Sequence, residues 1–236
     1  MALVFSAVKT RVLLPPKDDV FSLFDSAGFE LSDGDVLCIA SKCLAIHQGR
    51  CVPVGVADRK KLMVDEADEV IRDDCDLTVK DGAIIAYSGI DESNGNGHYI
   101  LWPANVGELL GDIHRFLCAK FSVDRLGIIS VDSRLEPMRW GTVGISQGIF
   151  GFNPVRDCRG NLDIFGRPLQ ITTMNIADSI ACTACHLMGE GAECRPLVVV
   201  SGLEGIEFGS DFSMENLKIS RKADLFSPIF AFQNQF

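Results

Sequence analysis

A chain of 236 residues with 22 lysines and arginines against 32 aspartates and glutamates carries a formal charge of −10. That balance argues against a general nucleic-acid binder, whose footprint is a basic face. At 47% apolar and 23% charged residues the composition is that of a globular protein, long enough to bury roughly 70–75% of its extended-chain surface.

No apolar run approaches the ~20 residues that span a bilayer, which argues against a membrane partner. The N-terminus, Met1-Ala2-Leu3-Val4-Phe5, lacks a basic segment followed by a long apolar one, and the expectation is a cytoplasmic protein.

From the N-terminus, residues 18–27 have helical periodicity, and Asp35 to Ala40 follow the turn Ser32-Asp33-Gly34 as a buried strand. Residues 59–72 read as a second helix, with Asp65, Glu66, Asp68 and Glu69 on a solvated face. The apolar run Ala83 to Tyr87 precedes Ser88-Gly89-Ile90-Asp91-Glu92-Ser93-Asn94 and the turn Gly95-Asn96-Gly97. Val106 to Phe121 is an amphipathic helix, and Leu126 to Val131 the strand after it. A glycine-rich stretch runs over 141–166, where interleaved apolar residues imply tight turns or close backbone approach rather than disorder. A helix over about 173–188 and a strand over 196–200 follow. The aromatic tail from Phe226 to Phe236 requires its own core or a partner, which favours a dimer.

The nine cysteines are odd in number and scattered, and read as reduced thiols. Cys182-Thr183-Ala184-Cys185-His186 has the spacing of a c-type haem attachment site. It lies, however, within an apolar pattern of helical period, so close helix packing is the better reading. No second Cys-x-x-Cys completes a zinc site.

The segment Ser88–Asn94 has two readings. Asp, Ser, Asn and Gly are ordinary turn formers. A carboxylate beside an amide at a strand exit also suits magnesium or manganese, which take oxygen ligands and retain water or phosphate. Asp132 ends the next buried strand in the same way, with the Ser133 hydroxyl beside it. Two such carboxylates can converge on one divalent cation, although strand ends also carry Asp as helix caps. No P-loop and no G-x-G-x-x-G after a strand is present. The loop Met188 to Arg195 can approach a base or phosphate, and Gly189 equally suits a helix C-cap.

These pieces, joined by Arg139-x-Gly141, Asp157-x-Arg159-Gly160-x-x-Asp163-x-x-Gly166, Thr172-Thr173 and Ala177-Asp178…Met188-Gly189, resemble the coenzyme F-420-0:L-glutamate ligases, gamma-glutamyl ligases that use GTP. The resemblance runs from the Asp35 strand to Gly202. It implies a mixed α/β (α+β) fold, one ligase-like domain of two intimately joined subdomains with the glycine-rich 141–166 in the middle, and an intertwined homodimer.

It also implies that Asp91 and Asp132 are catalytic and, with Ser133, hold Mg2+ or Mn2+. Ser41 and Asn94 fall on nucleotide-contacting positions, and Met188, Gly189 and Gly191 lie in the loop that closes over GTP, with ATP not distinguished. Arg139, Asp157 and Arg159 fall on acceptor-binding positions.

Two departures from the family pattern stand out. Ala45-Ile46-His47-Gln48-Gly49-Arg50 stands against Ser-Lys-x-Glu-Gly-Arg, so Ile46 replaces a nucleotide-contacting lysine and Lys42 is its substitute one turn earlier. Leu135-Glu136 replaces a Gly-Arg pair, which disfavours a phosphorylated acceptor.

The implied activity joins L-glutamate to a small-molecule carboxylate acceptor, F-420-0-like or folate-like, through an acyl phosphate. Alternatives are a folylglutamate synthase acting on dihydropteroate or dihydrofolate, and a nucleotide-binding homologue impaired in catalysis.

Overall fold

The computed structural model describes residues 2–72 and 74–230. In chain order the elements are β1 (Val4–Val8), α1 (Val20–Ser26), β2 (Asp35–Ala40), α2 (Ser41–Gln48), β3 (Cys51–Pro53), α3 (Arg59–Glu66), β4 (Glu69–Arg72), β5 (Leu77–Lys80) and β6 (Ala83–Ala86). Then come β7 (His98–Ile100), α4 (Val106–Phe121), β8 (Leu126–Leu135), β9 (Thr142–Phe150), β10 (Val155–Asp157), β11 (Thr173–Asn175), α5 (Ile176–Met188), β12 (Leu197–Ser201) and the short α6 (Ser227–Phe230). The fold is mixed α/β.

A five-stranded sheet, β1-β12-β2-β8-β9, forms the centre. Only β2 and β8 run parallel; the other three pairings are antiparallel. Successive side chains of a strand point to opposite faces, and β2 shows it. Leu37 and Ile39 pack with α1, α2 and α4 on one side, while Val36 and Cys38 pack with α5 on the other. Both faces are covered, which is why β2 and β8 read as continuous apolar runs. In α4, Leu110, Ile113 and Leu117 are completely buried, each contributing about 1.5–3 kcal/mol. Smaller sheets flank this layer: β4-β5-β6, the ribbon β3-β7 and the hairpin β10-β11.

Several boundaries differ from the sequence reading. The helix read over 59–72 is a helix only to Glu66. Asp58 caps its start by accepting from the Lys60 and Lys61 amides, and Val70 and Ile71 leave it to form β4 against β5. β-branched residues favour a strand once a partner is present, and that partner lies beyond a turn. The helix read from 173 begins at Ile176, because Thr173–Asn175 pair with β10 and the Asn175 side chain caps α5. β8 does not end at Asp132 but continues to Leu135, paired residue by residue with β9; Asp132 is therefore a mid-strand residue. Of the aromatic tail, 231–236 lies outside the described residues.

The glycine-rich middle does provide turns and close approach. A Cβ on Gly144 would meet Cys185 Cβ at 2.4 Å and Ala181 O at 2.5 Å, so α5 rests directly on β9. That contact accounts for the small residues around Cys182 and Cys185. Burial above all, then the Glu190 carboxylate, pushes the Cys185 thiol up to about 12, which keeps it an unreactive thiol.

Candidate functional site

A cavity of about 380 Å3 opens at the C-terminal ends of β2 and β8. In sheets with parallel strands, ligands bind at this end. Five separate parts of the chain build its walls: Thr10–Leu13, the start of α2, the Asp91–Asn94 turn, Val131–Ser133 of β8, and the end of α5 with the loop from Met188 through Pro196. The parallel register places Ala40 opposite Val131, so the residues that follow them, Ser41 and Asp132, come to one rim.

At α2 the Ala40 cap position carries no side chain able to bond the first helical amides. Those amides, with the positive end of the helix, suit an anion. Lys42 stands beside them: its Nζ donates to Asp91 Oδ2 at 2.6 Å and to Ser93 Oγ at 2.8 Å. Ile46, by contrast, is only 5% exposed and packs in the core with its flank at the cavity floor. The cation of this helix thus comes from position 42, and Ile46 removes no charge from the cavity.

Asp91 is held from both sides. Its backbone exchanges two hydrogen bonds with Ile100, at 3.1 and 2.7 Å, and its carboxylate accepts from the Ser93 amide at 2.8 Å and hydroxyl at 2.7 Å. Burial acts to raise the Asp91 carboxyl, but Lys42 and Ser93 together outweigh it and hold it below the usual range. Asp132 is the opposite case. Burial dominates and pushes its carboxyl up to about 6, against the hydrogen bonds from the Ser133 amide and the Trp102 indole and the attraction of Lys42, and with Asp91 repulsion adding to the rise. The two carboxylates and the Lys42 ammonium thus share one field. Carboxyls set apart in this way are common at functional sites.

Trp102 is the part of the corner that sequence reasoning missed. Its Nε1 donates to Asp132 Oδ2, its carbonyl accepts from Arg50 Nε at 2.7 Å, and Arg50 in turn pairs with Glu66. The signal for it lay in Gly89, where φ is +72° and a Cβ would stand 2.2 Å from the indole nitrogen. Ser88 is wholly buried rather than at the rim, with its hydroxyl donating to Met63 O at 2.7 Å. Ser88–Asn94 is therefore both things at once: a turn whose first half is packed and whose second half, from Asp91, faces the cavity.

Asn94 Nδ2 donates to Gly191 O at 3.2 Å, joining this turn to the Met188–Arg195 loop. Gly189, Gly191, Met188 and Ser133 also line the cavity. Glu190 of the same loop, unforeseen, lines it too and accepts from Thr142 Oγ1 at 3.3 Å. Arg139, Asp157 and Arg159 are not brought to this cavity. Arg139 lies in the exposed β8–β9 turn, while Asp157 and Arg159 form an exposed ion pair at 2.6 Å on the hairpin. The anion at Glu136 is matched by Arg134, 2.8 Å away. Among the described residues no cluster of three or more His, Cys, Asp or Glu is arranged to hold a metal ion, and no helix is long and apolar enough to cross a membrane.

Comparison with known proteins converges on one family. The profile described as F420-0:Gamma-glutamyl ligase matches residues 13–202. The coenzyme F420:L-glutamate ligase of Methanocaldococcus jannaschii is 31% identical over 209 residues, covering 78% of this chain and 81% of that protein. That of Archaeoglobus fulgidus is 30% identical, covering 90% and 92%. That of Methanothermobacter thermautotrophicus is 28% identical, covering 96% and 99%. A profile match that covers Asp91, Asp132 and the Met188–Pro196 loop, with relatives aligned along most of their length, is decisive: the chain belongs to the F420-0:gamma-glutamyl ligase family.

Proposed function

We propose that the protein is a ligase that joins L-glutamate by an amide bond to a carboxylate acceptor, using a nucleoside triphosphate and a divalent metal. The observation that carries this reading is the convergence of Asp91, Asp132, Lys42, the α2 N-terminus and the Met188–Gly191 loop on one cavity. Family membership supports the reaction class, since the relatives are coenzyme F420:L-glutamate ligases by name.

The chemistry fits the residues. A carboxylate is a poor acyl donor, and phosphorylation turns it into an acyl phosphate that the glutamate amine attacks, forming the amide and releasing phosphate. Two carboxylates facing a triphosphate repel it unless cations intervene; Lys42 is paired with Asp91, and Arg11 and Arg195 line the same cavity. Asp91 and Asp132, with the Ser133 hydroxyl, make a donor set of hard oxygens, and magnesium typically takes one or two carboxylates plus phosphate oxygens and water. When bound, such an ion neutralises charge on the transferring phosphoryl group. Lys42 and the first amides of α2 then hold phosphate oxygens. Gly189 and Gly191 let the loop backbone approach the nucleotide, with Asn94 fixing the loop at Gly191. GTP is the first candidate nucleotide.

Arg134 offsets the Glu136 anion without restoring the cation of the Gly-Arg pair; an F-420-0-like acceptor is preferred to a folate because the relatives are coenzyme F420:L-glutamate ligases by name. The acceptor positions Arg139, Asp157 and Arg159 sit on segments bearing exposed Met138, Trp140, Ile164 and Phe165. Apolar surface of that kind marks an interaction site, and a homodimer in which these segments complete the partner's site is the reading it supports.

The test is incubation of the protein with GTP or ATP, magnesium or manganese, labelled glutamate, and F-420-0, dihydrofolate or dihydropteroate in turn. Metal-dependent labelling of F-420-0 with equimolar phosphate release is expected. Labelling of a folate alone would reassign the acceptor. Nucleotide binding with no labelled product from any acceptor would defeat the ligase reading.

A further inference from the structure

A second cavity, of about 150 Å3, lies beside the first, between β6, β8, β9, the start of α5 and the segment around Lys218. Trp102 lines this cavity and Asp132 lines the other, so the hydrogen bond between them forms the partition. The catalytic corner described above uses none of the remaining wall groups.

The wall contains an unexplained polar group. Ser130 pairs with Gly148 and Val131 with Ser146, which leaves Gln147 as the extra residue of a bulge. Bulges re-aim side chains beside functional sites. Gln147 is 3% exposed; its Oε1 accepts from Ser130 Oγ at 2.8 Å, and its amide nitrogen has no hydrogen-bond partner among the described residues. A buried amide left in this state is costly, and a ligand acceptor atom would satisfy it.

Charges of both signs surround it. Arg134 and Lys218 are half-exposed cations whose outer sides meet Glu136 at 2.8 Å and Glu215 at 2.6 Å. The Lys218 methylenes cover the cavity edge, 3.2 Å from where a Gly82 Cβ would stand. Asp178 Oδ1 accepts from the Ser146 amide at 2.8 Å and hydroxyl at 2.6 Å, and its Oδ2 accepts from Asn175 Nδ2 at 2.6 Å, which leaves each oxygen a further lone pair. Trp102 and Ile145 supply apolar wall. The volume is that of about five waters, too small for a nucleotide and suited to an amino acid.

We infer that this cavity binds a small zwitterionic amino acid of the glutamate class. Its carboxylates meet Arg134, Lys218 and the Gln147 amide; its ammonium meets Asp178; its methylenes lie on Trp102 and Ile145. The choice of glutamate among amino acids rests on the ligase reading, while the zwitterion chemistry rests on the wall.

Titration of L-glutamate into the protein, with and without GTP and magnesium, tests it in wild type, Gln147→Met and Lys218→Met. Glutamate binding is expected to weaken about tenfold in Gln147→Met and about threefold in Lys218→Met. Nucleotide affinity should be unchanged and the KM for glutamate should rise in parallel; Gln147→Met should lower the melting temperature, because the buried Ser130 hydroxyl loses its acceptor, whereas Lys218→Met should not. Glutarate, which is glutamate without the ammonium, should bind at least tenfold more weakly than glutamate. If Gln147→Met does not fold, Lys218→Met, a surface change, carries the comparison.

Wild-type glutamate affinity in both variants, or equal binding of glutarate, overturns the inference even where ligation proceeds. Gln147-dependent glutamate binding in a protein that ligates no acceptor upholds the inference and overturns the ligase reading instead.

Discussion

The corner around Asp91 and Asp132 and the hairpin carrying Asp157 and Arg159 are both charged. Their contacts differ in range. At the corner Lys42 reaches Asp91, Trp102 reaches Asp132 and Asn94 reaches Gly191, so each bond closes a long loop of chain. At the hairpin Arg159 meets Asp157 two residues away, and Arg167 meets Asp163 four residues away. The hairpin satisfies its own charges, chiefly through Arg159, which holds the Asp157 carboxyl down at about 2, and it leaves Ile164 and Phe165 facing outward. The corner is assembled by the whole fold from distant parts of one chain. A self-contained hairpin with an apolar tip is suited to act on another surface.

Substitutions that separate the two regions follow, beginning with the corner. Asp91→Asn and Asp132→Asn should each lower ligation on the order of 10²–10³-fold in a protein that stays folded; wild-type turnover in either would remove the corner from the chemistry. Gly89→Ala puts a methyl into the Trp102 ring at a positive-φ position. It should cost about 2–3 kcal/mol, read as a midpoint lowered by roughly 4–12 °C in a chain of this size, with activity falling because Asp132 loses its partner. A stability equal to wild type would show that the indole is not held as described.

At the hairpin, Ile164→Asp with Phe165→Asp should leave stability within about 0.5 kcal/mol yet weaken self-association by about tenfold or more. Sedimentation at graded concentrations reads it, and an unchanged profile would leave the hairpin without the partner argued for it.

The smallest effect concerns pH. A carboxyl raised to about 6 in the folded chain and near 3.9 when unfolded keeps its proton longer when folded. Stability is therefore fully present below about 4 and declines as pH rises through about 6. Metal-free Asp132→Asn should lack that decline, so its midpoint should match or exceed wild type at pH 7 and the gap should narrow by pH 4. Parallel melting curves for the two proteins over that range would show Asp132 to be freely solvated.

What was legible in the sequence follows the same division. Val106–Phe121 was read with its observed bounds because a helix period is local information. Asp91, Asp132 and the Met188–Gly191 loop were recognisable as motifs; the parallel β2–β8 pairing brings Asp132 beside the start of α2, where Lys42 holds Asp91 and Asn94 holds the loop at Gly191. Val70 and Ile71 were misread as helix because their partner strand lies across a turn. Thr173–Asn175 was misread because β10 lies before a long hairpin excursion. The end of β8 was misplaced since nothing in Asp132-Ser133-Arg134 announces that β9 continues alongside. Gln147 gave no sign of itself, as a bulge is a property of two strands together.

The seat of α5 on Gly144 has a mechanical consequence for the loop that follows. With no room for even one methyl between helix and strand, α5 cannot slide or roll on the sheet without separating from it. Any swing of the Met188–Arg195 segment must therefore pivot beyond the helix, at Gly189, whose φ of +78° few other residues tolerate. The far end is tethered where Pro196 leads into β12, with Ala40 donating to the Pro196 carbonyl at 2.9 Å. A span clamped at both ends and jointed at one glycine moves like a short latch, and its stroke is set by the fulcrum under α5.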